Sequence, residues 1–275
     1  AAVMGLLIGG AGAAASAQPR APAPPGPGAQ GAPGPPIEIT GATLVEYDQS
    51  AGVWRLEGAP MIVTRGQTVV RAPRGRFDER ARIVTAEGGV DLEQPGMTMR
   101  ADAVELQLAA ERIRARGSVR LATSRDGQTA TLRAPEVEGS LATQRFAATG
   151  GVTITRGEWT AVGRRVDYDG ADQVALITGD PEVRFRDGVM TADTVTIWMA
   201  REHARGEGSV RLRRGDMTGF ARRVDLQLRE QLATLSGSAR VERGRDRLEA
   251  EEIQVELDRS RATARGTPRL VITPP

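Results

Sequence analysis

Eight copies of one short motif fill the chain from Ile37 onward. Each copy begins at a small residue, and a glycine follows sixteen residues later in every copy. The small residues are Ala42, Ala72, Ala101, Ala134, Gly163, Ala192, Ala221 and Ala250, and the glycines are Gly58, Gly88, Gly117, Gly150, Gly179, Gly208, Gly237 and Gly266. Most copies are 29 residues apart, which indicates an array of structural repeats that pack against their neighbours. One interval of 33 residues has its extra residues around Ser124–Gly127, where we expect a longer loop.

Apolar and polar residues alternate with a period of two inside each copy. In the third copy, Val104, Leu106 and Leu121 share one face, whereas Arg114 and Arg120 take the other. Two apolar columns recur, three and twenty residues after the small residue. The first is Val45, Gly75, Val104, Val137, Val166, Val195, Val224 and Ile253, and the second is Ile62, Leu92, Leu121, Ile154, Val183, Leu212, Val241 and Leu270. This period is typical of strands that cover a core with one face, so the predicted class is all-β.

The glycine of each copy falls in the middle of a strand. Glycine within a strand marks a bend or a bulge, because it tolerates unusual backbone angles. Eight creases in register would fold one antiparallel sheet into two facing layers with the apolar residues inside. Two strands per copy give about sixteen bent strands, an elongated stack on the order of 75 Å long. Pro60, Pro181 and Pro268 replace the usual crease valine, and we expect weaker pairing there.

Two segments precede the repeats. Val3–Ala15 is a short apolar run that ends in Ala15-Ser16-Ala17, the form of a signal peptide and its cleavage site. Such a run is too short to span a ~30 Å hydrocarbon core readily, so export with cleavage is favoured over anchoring. The Pro- and Gly-rich stretch after it predicts an extended, disordered linker. We therefore predict a signal peptide at 1–17, a linker at 18–36 and the repeat domain at 37–275.

The composition argues against catalysis. The chain has no Cys and one His, His203, which we expect to be an exposed turn residue. Thiol nucleophiles, zinc clusters and imidazole triads therefore lack the residues they need, and we predict no enzyme, no metal site and no cofactor. All 37 basic residues are Arg against 35 acids, and a net charge of +2 does not indicate a polyanion binder. Outward arginines such as Arg112 and Arg211 indicate a solvated face of mixed charge, with lipid phosphates as the alternative ligand.

The repeat resembles the OstA-like repeat of the lipopolysaccharide-transport proteins. The clearest copies are Ala101-Asp-Ala-Val-Glu-Leu106 with Ala115-Arg-Gly-Ser-Val-Arg-Leu121, and Ala192-Asp-Thr-Val-Thr-Ile197 with Gly206-Glu-Gly-Ser-Val-Arg-Leu212. The similarity covers about Ile39 to Ile272. The family often has Gly-Asn-Val at the crease. This chain has no Asn, and has pairs such as Gly117-Ser118, Gly208-Ser209, Gly150-Gly151 and Gly179-Asp180 instead. The resemblance to this LptA family implies an antiparallel β-jellyroll with the shape of a folded taco.

The resemblance also implies a lipopolysaccharide carrier. An apolar groove between the layers would shelter the acyl chains of lipid A, and burial contributes ~0.8 kcal/mol per CH₂ group. The inward residues predicted to bind lipid are Val104, Leu106, Leu121, Val137, Ile154, Val166, Tyr168, Val183, Val195, Ile197, Leu212, Val224 and Leu226. The alternative is that these residues only pack against one another as a core.

Unpaired strands at the two ends of the stack would offer backbone N–H and C=O groups to partners. We expect the N-terminal edge at about Ile37–Asp48 and the C-terminal edge at about Arg269–Thr273. By resemblance, the first would join an LptC-like protein and the second an LptD-like protein, with a head-to-tail homo-oligomer as a further option. The predicted edge contacts are Ile39, Leu44, Val45, Leu270 and Ile272.

Several classes of function fit these features to different degrees. A periplasmic bridge between inner-membrane and outer-membrane partners is favoured by the cleavable signal. The alternative is a scaffold like LptC or the N-terminal part of LptD, which docks partners without carrying lipid. A polysaccharide-acting β-helix is disfavoured because no acidic column repeats along the array. A polyanion binder is disfavoured by the balanced charge, and we expect no nucleic-acid partner.

Overall fold

The computed structural model describes residues 36–125, 127–259 and 261–273. Over these ranges, β-strands alternate with tight turns, and a three-residue 3₁₀ helix spans Met199–Arg201. The first nine strands are β1 (Ile37–Asp48), β2 (Val53–Arg65), β3 (Thr68–Asp78), β4 (Ile83–Gln94), β5 (Met97–Gln107), β6 (Arg112–Arg125), β7 (Gln128–Ser140), β8 (Arg145–Arg156) and β9 (Trp159–Asp169). The remaining strands are β10 (Val174–Thr178), β11 (Glu182–Phe185), β12 (Gly188–Thr191), β13 (Thr194–Trp198), β14 (His203–Arg214), β15 (Met217–Gln227), β16 (Leu232–Arg243), β17 (Asp246–Glu256), β18 (Arg261–Arg265) and β19 (Arg269–Val271). Residues 1–35 of the predicted signal peptide and linker lie outside the described ranges.

The strands form one antiparallel sheet whose pairing follows the chain. Strands β1 to β9 each pair with the next, and so do β14 to β17. Three bent strands are each divided at the crease into two short strands that pair with the same neighbour. These are β10 and β11, which pair with β9, β12 and β13, which pair with β14, and β18 and β19, which pair with β17. Counted this way, the described strands give sixteen bent strands, so the all-β class and the strand number are confirmed.

The repeated glycines lie where each strand bends. In the β6–β7 pair, Gly117 and Ser118 together oppose the single residue Pro135, which is the arrangement of a β-bulge. Every crease glycine from Gly88 to Gly266 has a φ between 72° and 99°. Glycine adopts this left-handed conformation with little strain, whereas other residues do not. A column of bulges in register therefore bends the sheet along one line, as the sequence predicted.

The crease divides the sheet into two layers. Strands of the long-turn layer are joined by four-residue turns such as 49–52 and 199–202, and strands of the short-turn layer by two-residue turns such as 157–158. Both layers turn apolar side chains inward, where buried residues from Leu56 to Leu257 form one continuous cluster. The turns of both layers lie opposite the crease, and we call the gap between the two rows of turns the mouth.

The first copy departs from the predicted inward column. Its interval of 30 residues places one extra residue at the crease beside Pro60. Val63 therefore pairs with the inward Val70, whereas Ile62, which was predicted to face inward, pairs with the outward Arg71. The prediction for Ile62 is wrong because a single inserted residue reverses the face of every residue that follows it in a strand.

Candidate functional site

The residues predicted to bind lipid form the inner walls of the two layers. Eleven of the thirteen are buried, with exposed fractions from 0% to 4%. The other two, Leu106 and Tyr168, are partly buried and pack against the same cluster. The inward orientation of all thirteen agrees with the alternation in the sequence. Their contact with lipid stays a prediction.

The interior opens into a cavity of about 390 Å³ at its N-terminal end. Ile37, Ile39 and Val45 of β1 line this cavity together with Trp54 and Phe77. Ile39 is 38% exposed and Val45 is 52% exposed, so the cavity is accessible from the end of the stack. A largely apolar cavity of this kind accepts hydrocarbon without leaving many buried polar groups unpaired.

The interior narrows along the stack. A cavity of about 40 Å³ lies beside Val104, and one of about 20 Å³ lies beside Leu121 and Tyr168. Residues of both layers line each of these cavities, which shows that the layers face each other across a shared interior. Further along the chain, Val195 and Leu226 are 0% exposed, so the inward side chains there are covered by other protein atoms.

A column of turn residues covers the mouth in most copies. These residues lie seven positions after the small residue, and we call them the lip column: Glu79, Leu108, Leu141, Gly170, Met199, Leu228 and Leu257. The backbone N–H of each donates to a carbonyl of the preceding turn, as from Leu228 to Glu202 (N···O 2.9 Å). Leu108, Met199 and Leu228 line cavities together with residues of the short-turn layer. Sequence reasoning missed this column, for which the fixed offset from the small residue is a signal and the residue type is not.

Glu79 places a carboxylate in the lip column near the open end. It accepts hydrogen bonds from Trp54 Nε1 (2.7 Å) and from the Tyr47 hydroxyl (3.1 Å). The rings of Tyr47 and Trp54 stack with centroids 4.3 Å apart. The hydrogen bond to Glu79 raises the pKa of Tyr47 above its ordinary value. This polar group replaces the apolar cover that Leu108 provides in the next copy.

A hydrogen bond joins the two layers across the mouth. Gln128 Nε2 of the short-turn layer donates to Glu202 Oε1 of the long-turn layer (3.2 Å). Gln128 lies within the 33-residue interval, whose extra residues lengthen β6 and β7 to 14 and 13 residues. The structure therefore has a longer hairpin there rather than the expected longer loop. Burial opposes ionisation of Glu202, but hydrogen bonds from Arg229 and Gln128 outweigh it and hold the pKa of Glu202 below its ordinary value.

Both ends of the stack carry exposed apolar side chains. The predicted edge contacts are exposed as follows: Ile39 38%, Leu44 43%, Val45 52%, Leu270 61% and Ile272 66%. Among the described residues, β1 pairs only with β2, and β18 and β19 pair only with β17. The C-terminal edge is longer than expected, because it includes β18 as well as the segment from Arg269.

His203 is not the exposed turn residue that the sequence suggested. It begins β14, and its side chain is 22% exposed. Its ring stacks on Trp198 with centroids 5.0 Å apart, and its Nε2 lies 3.0 Å from Asp225 Oδ1. Arg205 donates to the same carboxylate oxygen (2.8 Å). The turn ends one residue before His203, so the imidazole joins a polar cluster on the outer face.

Outward arginines pair with acids on adjacent strands. Arg114 Nε lies 2.6 Å from Glu136, and Arg145 Nε lies 2.9 Å from Asp169. The Arg114 guanidinium holds the pKa of Glu136 below its ordinary value. Exposed pairs of this kind contribute little to stability, and they fit the predicted solvated face of mixed charge.

Stacked hairpins that bend at a glycine crease around an apolar interior define a β-jellyroll repeat protein. The chain belongs to the family described as LptA/(LptD N-terminal domain) LPS transport protein, whose model matches residues 69–203 and 172–261. The resemblance drawn from the repeats is therefore confirmed. No helix in the described residues is long and apolar enough to cross a membrane.

Comparison with solved structures and curated proteins adds two findings. A crystal structure of LptH, the LptA homologous periplasmic component of the lipopolysaccharide transport device from Pseudomonas aeruginosa, is 15% identical to this chain. The match covers 53% of this chain and 95% of that one, with a TM-score of 0.25. The search of curated proteins gave no match.

Proposed function

We propose that this protein is a periplasmic lipopolysaccharide carrier that shelters lipid A acyl chains between its two layers. The observation that supports the proposal is the apolar interior, which begins at the N-terminal cavity and continues past Val104 and Leu121 to Val195. Each CH₂ group moved from water into such an interior contributes ~0.8 kcal/mol. Contacts of this kind are non-directional and recur along the stack, which suits a conduit and a non-enzymatic role.

The bridging part of the proposal rests on the two exposed edges. An LptC-like protein would extend the sheet at β1, and an LptD-like protein would extend it at β18 and β19. Strand β1 contains Glu38, Glu46 and Asp48 and no basic residue, whereas β18 and β19 contain three arginines and no acid. Opposite charge on the two edges favours joining unlike edges and disfavours joining like ones.

The same charges support head-to-tail contact between two copies. Within the chain, Arg145 and Asp169 stand opposite each other in β8 and β9, 2.9 Å apart. Continuing this register beyond β18 would place Arg261 opposite Asp48 of a second copy. A head-to-tail pair would thus repeat an ion pair that the array already contains.

A scaffold that carries no lipid is the second candidate, and one observation favours it. Val195, Leu212 and Leu226 are 0% exposed, so the C-terminal part of the interior is filled by protein side chains. Lipid could enter there only if the layers separated. A scaffold would need the exposed edges and no separation of the layers.

Photocrosslinking in cells separates the two candidates. A photoreactive amino acid replaces Val63 at the open end, Ile154 in the middle, or Val195 in the closed part. The matched outward positions are Arg120 and Thr153, which lie beside inward residues on the same strands. A carrier gives crosslinks to lipopolysaccharide at all three inward positions and few at the outward ones.

Other outcomes would reject the carrier. Equal labelling of inward and outward positions would show that lipid does not use the interior. Labelling at Val63 alone would restrict lipid to the N-terminal cavity and contradict a conduit. Crosslinks to protein partners at the edges, without lipid at any inward position, would support the scaffold.

A further inference from the structure

A cavity of about 390 Å³ lies at the mouth, next to the hydrogen bond that joins the layers. Its apolar wall contains Trp159, Phe185 and Leu228, which are 5%, 2% and 7% exposed. Its polar wall brings together three arginines and two glutamates from both layers. The cavity therefore combines an apolar side continuous with the core and a cationic side at the surface.

Two of the three arginines in this cavity are paired with carboxylates. Arg186 Nε donates to Glu158 (2.8 Å), and Arg229 Nη2 donates to Glu202 (3.3 Å). These pairs balance the two glutamates that line the cavity. One positive charge is left, and it belongs to Arg156.

Arg156 is held by a neutral acceptor. Its Nε and Nη2 both donate to the amide oxygen Oε1 of Gln128, at 2.9 and 2.5 Å. The amide nitrogen of Gln128 donates in turn to Glu202. Gln128 thus occupies the two donors of Arg156 without neutralising its charge. A guanidinium binds oxyanions through two parallel N–H donors more strongly than it binds an amide.

We propose that this mouth cavity binds the phosphate group of an amphiphile whose hydrocarbon chain lies between the layers, which separate there to admit it. Arg156 binds the phosphate in place of Gln128 Oε1, and Trp159, Phe185 and Leu228 contact the first part of the chain. The inference rests on the proposed carrier function and adds to it a chemical class of head group and a place where that head group is held. The phosphate and Gln128 compete for the same two donors, so binding also frees the Gln128 amide oxygen from Arg156.

Binding of two twelve-carbon amphiphiles to the purified protein tests the proposal. The probes are dodecyl phosphate and the neutral dodecyl maltoside, each titrated below its micelle concentration in a calorimeter. Arg156→Gln should weaken dodecyl phosphate binding about tenfold or more, because a charged hydrogen-bond pair is lost, and leave dodecyl maltoside unchanged. Arg243→Gln is the matched control, because Arg243 precedes a two-residue turn of the same layer and does not line the cavity.

A second variant distinguishes the loss of a binding contact from weaker binding caused by misfolding. Gln128→Ala removes the internal acceptor and should tighten dodecyl phosphate binding about threefold or more. A damaged fold would not produce this gain. Unchanged or weaker binding by Gln128→Ala would contradict the competition between Gln128 and the phosphate.

The remaining outcomes distinguish this inference from the function on which it rests. If both amphiphiles bind and Arg156→Gln affects neither, the phosphate site is wrong and the carrier stands. If neither amphiphile binds, the carrier proposal fails and the site fails with it. If inorganic phosphate displaces dodecyl phosphate at equal concentration, the site recognises free phosphate, and its assignment to an amphiphile is overturned.

Discussion

The N-terminal edge strand β1 and the strand β17 of the last copy share one sequence pattern and differ in how well their inward residues are covered. At the N-terminal end, Ile39 and Val45 are 38% and 52% exposed and line a cavity of about 390 Å³. Near the C-terminal end, Ile253 and Leu257 are 0% exposed. Alternation with a period of two therefore determines which face of a strand points inward. It does not determine whether that face is closed off from solvent.

Strand position explains part of this difference, because β1 pairs only with β2 among the described residues, whereas β17 lies between β16 and the strands β18 and β19. The lip column adds to it. Leu228 and Leu257 are buried at the mouth in the C-terminal part of the array, where Leu228 lies beside Trp159 and Phe185 of the other layer. Glu79 has the equivalent position near the open end. Burying a carboxylate without a partner is costly, so Glu79 stays exposed and binds polar atoms at the surface. The lip residue thus contributes apolar cover at the mouth where it is Leu228 or Leu257, and a polar surface group where it is Glu79.

The comparison predicts its largest effect on the free energy of unfolding of two variants, one with an isoleucine of β17 replaced and one with an isoleucine of β1 replaced. Ile253→Ala removes fully buried atoms and leaves a cavity, so it should lower the free energy of unfolding by about 2–5 kcal/mol. Ile39→Ala removes the same atoms from a side chain that is 38% exposed, and should cost about 1 kcal/mol or less. Urea midpoints measure both changes. Equal costs would show that β1 and β17 cover their inward residues to the same degree.

A crease glycine in the closed part gives the next largest effect. Gly208 has a φ of 99°, and a Cβ there would overlap the Asp193 side chain from its Cβ to its Oδ2. Gly208→Ala should therefore lower the free energy of unfolding by about 2–3 kcal/mol. Gly215→Ala is the control, because Gly215 has a φ of 54° and no atom within 4 Å of the added Cβ, and it should cost about 1 kcal/mol. If both variants cost the same, close packing at the crease contributes nothing beyond backbone strain.

The smallest predicted effect is that of acid on the melting temperature. Acid should weaken the contact that Glu202 makes between the layers at the mouth. The pKa of Glu202 is lower in the folded protein than in the unfolded chain, so its ionised form stabilises the fold above the unfolded value of ~4.3. This stabilisation is lost as the pH falls through the folded pKa. Melting temperatures measured from neutral pH to about pH 3 should fall less for Glu202→Gln than for the native chain. Glu230→Gln, in the next turn of the same layer, is the control, and a Glu202→Gln curve parallel to the native one would contradict the prediction.

The sequence predicted the fold well where one rule applies to every copy. The burial of Val137 and Leu212 followed from their columns, because strand geometry places alternate residues on opposite faces in any surroundings. Prediction failed where a copy departs from the rule. One inserted residue moved Ile62 to the outer face, and a turn that ends at residue 202 placed His203 in a strand. The lip column was missed because its members do not share one chemical class. They include the acidic Glu79, Gly170 without a side chain and the apolar Leu257.

The amino-acid sequence by itself determined the repeat, the bend at each glycine and the inward face, since all three depend on residues close together in one copy. The tertiary structure alone decided where the two layers touch. Gln128 and Glu202 are 74 residues apart, and nothing in either copy indicates that they meet. Their contact depends on how the two layers face each other across several copies, and on the longer β6–β7 hairpin in which Gln128 lies. For the same reason, the cavity beside Arg156 could be recognised only after the layers were placed against each other.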